Sequence, residues 1–300
     1  MINIDKALNN DRLMKALSGL NVMEFNQLLP TFEKLLYVKA KNKERQREVG
    51  GGRKGELKLA SHKLFFIVFF LKVYPTMDLA GFIFGVDRSR PCRWVQDFLP
   101  ILEEVLGREC VLPKRKINSI EEFTRLFPDV KEVLIDATER RTQRPKNFKQ
   151  QSRMYSGKKK DHTRKNTIMS DKNKRILLVS PTKNGKVHDK KMLEKENGLE
   201  NIPPNVDILT DKGYQGIDKL NKNDNKVFIP KKKPKGKDLT EEEKEENKIV
   251  SLFRIPVEHA IGGIKRFGCL SNDYRSKNGK DDKFILVCAG LWNYHLRSAA

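Results

Sequence analysis

Three carboxylates sit where an acid is costly unless a cation meets it. Asp136 closes the apolar run Val133-Leu134-Ile135, Asp211 closes the run 206–210, and Glu258 follows Pro256 in a stretch of helical spacing. A carboxylate taken out of water without a partner loses several kcal/mol. Open α/β sheets place their ligands at the carboxyl ends of strands. Two strand-end aspartates side by side, joined by an acid from a packed helix, would form an oxygen cage for divalent cations. Mg²⁺ prefers a few carboxylates completed by waters and phosphate oxygens. Two such ions about 4 Å apart activate a water and stabilise the departing oxygen of a phosphodiester. Each acid taken alone reads more readily as a turn former or a solvated helix residue. Glu139, Asp171, Asp189 and Asp207 lie close by in sequence as competitors.

The segment that carries Glu258 narrows the choice. Arg254 precedes it by four residues and Lys265 follows it by seven, so all three fall near one helix face. Gly262, one turn after Glu258, leaves bare backbone on that face, while Val257, Ile261 and Ile264 can pack the adjoining one into a core. Pro256 cannot bond back into a preceding turn, so the helix must kink or restart there. Cations for phosphate, an acid for metal and open backbone for close approach suit a phosphodiester chain. An amphipathic helix with ordinary surface charges is the plainer alternative.

Charge supplies the substrate class. The 300 residues carry 61 Lys+Arg against 39 Asp+Glu, a formal charge of +22. Such an excess draws a polyanion, with nucleic acid first and an anionic membrane second. The longest apolar run, 64–71, is far short of the roughly 20 residues that span a bilayer. The N-terminal residues lack the pattern of a signal peptide. Cys92, Cys110, Cys269 and Cys288 are scattered, which argues against a zinc site or a disulfide framework and for a reducing cytosol. The basic stretch 140–165 follows Asp136 directly and interleaves its cations with Phe148 and Tyr155. Its Arg140, Arg141, Lys158, Lys159 and Lys160 are expected to hold phosphate, and its aromatics to stack on unpaired bases. His188 reads as a helix cap. His162 and His259 lie near the acids in sequence, but a metal-activated water would make a histidine base unnecessary.

The elements that must position these groups change in texture along the chain. Residues 1–48 read as helix, interrupted at Pro30, and lead into a glycine-rich basic joint over 48–58. Three helices follow: an apolar one stopped by Pro75, a short one opened by Thr76 and closed by Gly85, and a third opened by Asp87 or Ser89 with Pro91 in its first turn. A Gly-Val turn before Arg88, Ser89, Arg90 and Arg93 gives a helix-turn-helix pattern, in which the start of the second helix reads the major groove. The alternative is a three-helix bundle with a basic rim. Beyond a charged connector the pattern becomes mixed, with strands expected at 132–136, 166–171, 175–181, 206–211 and 226–230, and a helix at 189–199. After the lysine-rich loop 230–237, Thr240 and Glu243 have the spacing of a capping box.

These blocks resemble the DDE-superfamily insertion-sequence transposases, in the insertion sequence 5 and Harbinger-like branch. The likeness covers nearly the whole chain. "GGGRKGELKLASHKLFFIVFFLKVYPTMDLAGFIFGVDRSRPCRWV" resembles the N-terminal helix-turn-helix of that family. "VLIDATERR", "YSGKKKDHTRKNTIMSD", "VHDKKM", "ILTDKGYQG", "IPKKKPKGKDLT" and "RIPVEHAIGGIKRF" resemble its catalytic blocks in family order. Ser251 stands where some family signatures have a tyrosine, three residues before the arginine.

The resemblance implies an α/β fold: a ribonuclease-H-like catalytic domain, with a mixed sheet flanked by helices, over 131–300. An N-terminal helical region (1–60), an all-α helix-turn-helix (61–107) and a linker (108–130) would precede it. It implies that Asp136, Asp211 and Glu258 are the metal-binding catalytic acids, with Arg254 and Lys265 as flanking DNA contacts. Two Mg²⁺ ions per site, replaceable by Mn²⁺, would serve cleavage at terminal inverted repeats and joining of the 3′ ends to target DNA. The expected partners are double-stranded DNA and further copies of the chain, at least two on DNA, with no membrane and no small-molecule cofactor. The expected location is the bacterial cytoplasm, on the nucleoid. The rivals are a nuclease of the same fold that cuts without joining, and a decayed relative that only binds DNA.

Overall fold

Caps and apolar spacing decide the helices of the first part of the chain. The computed structural model describes residues 2–42, 55–196, 198–234, 236–276 and 279–299. Residues 48–54 of the expected glycine-rich joint, and Lys235 of the lysine-rich loop, lie outside the described residues. Contacts divide the chain into two units: Met1–Leu112 with Lys265–Asn272 and Lys283–Ala300, and Pro113–Ile264 with Asp273–Asp282.

In the first unit, α1 (Ile4–Leu8), α2 (Asp11–Ser18) and α3 (Val22–Lys41) each begin on an asparagine that accepts a backbone N–H from the first turn. Contrary to the sequence reading, Pro30 does not interrupt α3. Phe25, Leu28, Phe32 and Leu35 keep one buried stripe on both sides of it, which outweighs the single hydrogen bond a proline removes. Residues 64–71 of α4 (Ala60–Val73) are all buried, as expected of a helix that is apolar on every side. Thr76 caps α5 (Met77–Phe84) through the Leu79 N–H at 3.2 Å, and Gly85 ends it in the left-handed region at φ 66°. Then comes α6 (Ser89–Arg108), with Pro91 buried in its first turn. Phe66 of α4 meets Phe84 and Trp94 edge-on, at 5.2 and 5.0 Å, tying the three helices together.

The second unit opens with α7 (Ile120–Leu126) and β1 (Glu132–Arg141). Next are α8 (Phe148–Met154), β2 (Tyr155–Ser156), β3 (Asp161–Ser170), β4 (Ile176–Val179), β5 (Lys183–Asn184) and α9 (Asp189–Lys195). The series continues with β6 (Asp207–Thr210), β7 (Val227–Phe228), α10 (Glu241–Phe253) and α11 (Ile255–Lys265). The sheet is mixed. β1 pairs antiparallel with β3 and parallel with β6, and β6 pairs parallel with β7. β2, β5 and β4 follow one another along β3, all antiparallel. Val133, Ile135, Met169, Leu177, Ile208 and Tyr214 belong to the core beneath it.

The strand expected to stop at Asp136 runs on to Arg141. Beyond β6 it pairs with β3 through Glu139↔Lys165, Arg140↔Arg164 and Arg141↔Thr163, and the Arg141 carbonyl accepts the Tyr274 N–H at 3.0 Å. Asp136 is therefore mid-strand, at the point where the parallel partner ends.

The capping box of Thr240 and Glu243 starts α10. The helix stops at Phe253 and restarts at Ile255, next to Pro256, with Arg254 as the joint. Val257, Ala260 and Ile264 bury one face of α11. The sequence reading put all of 131–300 in one part, but the contacts group two C-terminal segments with the helical unit. These segments hold α12 (Gly268–Ser271) and most of α13 (Asp281–Ala299), where Phe284 meets the rings of Phe70 and Tyr74.

Candidate active site

Backbone pairing brings the two aspartates together. Ile135 is in parallel register with Thr210, so Asp136 and Asp211 occupy the next step on adjacent strands. Asp211 opens a short 3-10 turn, Lys212–Tyr214, that drives the Tyr214 ring into the core. Gly213, two residues after Asp211, does not have a positive φ. The left-handed conformation falls at Gly216, φ 79°, where a Cβ would lie 2.9 Å from the Lys190 Nζ.

Arg254 gathers the acids. Its Nη2 lies 3.2 Å from Asp136 Oδ2, and its Nη1 lies 3.4 Å from Asp211 Oδ1 and 3.9 Å from Glu258 Oε1. The arginine side chain is 9% exposed, while the acids are 22%, 39% and 59% exposed in the same order. Asp136 is the deepest and Glu258 the outermost. Burial pushes the Asp136 carboxyl above its ordinary value and Asp211 and Asp189 add to this, against the pull of Arg254 and the Ala137 N–H. Two buried polar atoms nearby have no hydrogen-bond partner: Arg254 Nε and the Tyr214 hydroxyl. Burial, then the charges of Asp136, Asp189 and Asp211, hold the Tyr214 phenol well above its usual range.

A second polar group adjoins the first. Lys165 Nζ, buried, lies 3.1 Å from Asp189 Oδ1 and 3.8 Å from Glu139 Oε2, and it donates to the Val187 carbonyl. Two of the competing acids thereby stand beside the centre with their own cation. Asp171 is a structural cap instead, accepting from the Asn173 and Arg175 N–H groups and from Arg175 Nε. Tyr214 and Lys165 were not singled out as site residues from sequence. The signal for Tyr214 was a large aromatic three residues after an acid at a strand end.

Among the described residues, no three His, Cys, Asp or Glu side chains approach closely enough to share one metal ion. The donor set nevertheless fits a divalent cation. Three hard carboxylates face one cationic point, occupied here by a guanidinium, and a single positive charge leaves negative charge in excess.

The expected DNA contacts fare unequally. Arg88, Ser89, Arg90 and Arg93 are exposed at the start of α6, with Arg88 3.6 Å from Asp78 and Arg93 donating to Ser89 Oγ. Lys158, Lys159 and Lys160 are exposed in the β2–β3 turn, and Arg141 is exposed 3.3 Å from Asp161. Arg140 must be removed from the set. It is 5% exposed, donates to Asn166 Oδ1 at 2.5 Å and lies 3.7 Å from Asp281, so no phosphate can reach it. Lys265 ends α11, half-buried, and is counted with the first unit. His188 is the N-cap residue of α9, but its side chain makes no capping bond. A Cβ at Gly262 would meet nothing within 4 Å, so that face of α11 is open.

A family model described as "DDE superfamily endonuclease" matches residues 135–293, a span that includes all three acids and Arg254. A relative described as "Probable transposase for insertion sequence element IS702", from Microchaete diplosiphon, is 31% identical over 286 residues, 95% of each chain. The chain belongs to the DDE-superfamily insertion-sequence transposases. No solved structure matches. The mixed sheet with flanking helices is consistent with a DDE nuclease fold. In this DDE transposase, no described helix is long and apolar enough to cross a membrane.

Proposed function

We propose that this chain binds the terminal inverted repeats of an insertion sequence, hydrolyses phosphodiester bonds there, and joins the freed 3′-hydroxyls to target DNA. The catalytic acids are Asp136, Asp211 and Glu258, on a ribonuclease-H-like sheet, and they hold two Mg²⁺ ions that Mn²⁺ can replace. The observation that carries this reading is the convergence of three acids, from two adjacent strands and a helix, on the Arg254 guanidinium.

When bound, the ions supply a Lewis acid for the phosphate and a water acidic enough to attack it at neutral pH. Asp136 and Asp211 fix one side of the centre through the sheet, and Glu258 closes it from α11. The Lys165–Asp189–Glu139 group backs the aspartates. Arg88, Ser89, Arg90 and Arg93 at the start of α6 act as the groove-reading end of a helix-turn-helix, while Lys158, Lys159, Lys160 and Arg141 hold backbone phosphate. Two DNA ends must be held at once, so the working complex contains at least two copies. Its place is the cytoplasm, on the nucleoid.

A cleavage-and-joining assay with Mg²⁺ and the DNA that flanks the gene tests the reading. Joined product is expected. Cut but unjoined ends would make the chain a plain nuclease of this fold, and bound but uncut DNA would make it a decayed relative.

A further inference from the structure

Arg254 is a buried cation at the point where the proposed function puts divalent ions. A guanidinium and a metal ion compete for the same carboxylate oxygens, since both are positive and the Arg254 side chain is itself withdrawn from water. Yet three acids gathered around one point repel one another less with a cation among them. Arg254 supplies that cation at its two Nη atoms only, and its Nε is buried without a partner. The backbone around it suits movement. Arg254 is the single turn residue between α11, anchored by Val257, Ala260 and Ile264, and α10, which buries none of its thirteen residues.

We propose that Arg254 is the resident counter-ion of the metal-free centre, displaced when divalent ions enter and then free to take a DNA phosphate, so that metal uptake and DNA binding favour each other. The inference rests on the three acids being the metal ligands. Arg254 acts here as a positioning residue: it holds the acids in register without metal, and competes with the ions for them. A DNA phosphate offers the guanidinium a bidentate partner, which removes the competitor. By linkage, DNA must then tighten metal binding by the same factor that metal tightens DNA binding.

The test is Mn²⁺ titration of the full chain by calorimetry and electron paramagnetic resonance, with and without a short duplex, beside thermal melting in chelator. In the wild type the duplex is expected to tighten Mn²⁺ by about tenfold. Arg254→Gln is expected to bind Mn²⁺ about tenfold more tightly than wild type without DNA, to gain little from the duplex, and to melt lower in chelator with recovery on adding Mn²⁺. Mn²⁺ affinity in Arg254→Gln at or below the wild-type value would overturn the inference. Should Arg254→Gln fail to fold without metal, Arg254→Lys keeps the charge but cannot bridge three acids. A gain of severalfold in Mn²⁺ affinity then supports the idea, and no gain defeats it. Asp136→Asn separates the two levels. If it abolishes Mn²⁺ binding while Arg254→Gln behaves as wild type, only the counter-ion role fails. If it leaves Mn²⁺ binding unchanged, the assignment of the acids fails with it.

Discussion

Arg254 Nη2 lies 3.2 Å from Asp136 Oδ2, although 118 residues separate them in sequence. The same guanidinium touches Asp211, so one side chain from the joint between two helices reports that two strand positions share a site. That contact orders the expectations for mutants. Changes to the acids act on chemistry, whereas changes to the cations around them divide between DNA affinity and stability.

Asp136→Asn and Glu258→Gln are expected to lower strand cleavage at least about a thousandfold, or about 4 kcal/mol in barrier height, while duplex affinity measured in chelator changes little. Single-turnover cleavage beside a mobility-shift titration checks this. Undiminished cutting by either variant would remove that acid from the mechanism.

The lysines of the β2–β3 turn and Arg140 should behave in opposite ways. Each of Lys158→Glu, Lys159→Glu and Lys160→Glu is expected to weaken DNA binding and to flatten the dependence of log K on log salt by about one ion. Arg140→Gln should leave that slope alone and cost about 1–3 kcal/mol of stability, because it takes one of two arginines from buried Asp281 and a charged donor from Asn166. Salt titrations and denaturant unfolding of the four variants distinguish the classes. A slope change in Arg140→Gln would contradict its burial.

Tyr214 is an expectation about packing. Its hydroxyl is buried without a partner, so Tyr214→Phe should be neutral or stabilising by up to about 1 kcal/mol. Tyr214→Ala should cost about 3–5 kcal/mol through the cavity it leaves. Melting curves of the two in metal-free buffer check this, and a large loss in Tyr214→Phe would reveal a partner for the phenol.

Asp282 gives a pH dependence with a definite sign. Burial pushes its carboxyl up, but hydrogen bonds from Arg115 and Thr182 outweigh that and hold it below the ordinary 3.8. A depressed folded value means that its contribution is present above pH 3.8 and fades as pH falls through the lower folded value. With both partners partly exposed, the contribution is about 1 kcal/mol. Asp282→Asn should therefore lose about that much at neutral pH and nothing once wild-type Asp282 is protonated. Equal losses at all pH values would refute the charge-based account.

The acid-bearing strands and helix were legible from sequence because apolar runs that end on a carboxylate, and a proline before Glu258, are local signals. The far half of β1 was not. From sequence Glu139 reads as a competing acid and Arg140 and Arg141 as phosphate contacts, and only long-range partners such as Thr163, Lys165, Asn166 and Asp281 make their pairing or burial affordable. Pro30 misled for a related reason, since the buried stripe that keeps α3 whole depends on neighbours the local pattern does not name. Arg254 was read from family likeness as a DNA contact. Its place among the acids follows from the restart of the helix beside Pro256, which the sequence showed, and from the register of β1 with β6, which spacing along the chain could not supply.

The continuation of β1 past Asp136 gives the centre one wall held by backbone pairing and one held by side-chain packing. Ladder bonds pin the backbone around the first aspartate, and the second aspartate follows directly from the paired neighbouring strand. Glu258 instead stands two residues beyond the proline, on a segment that begins afresh after a lone turn. The two aspartates cannot part without breaking the ladder, whereas the reach of Glu258 depends on the side chains that seat its helix.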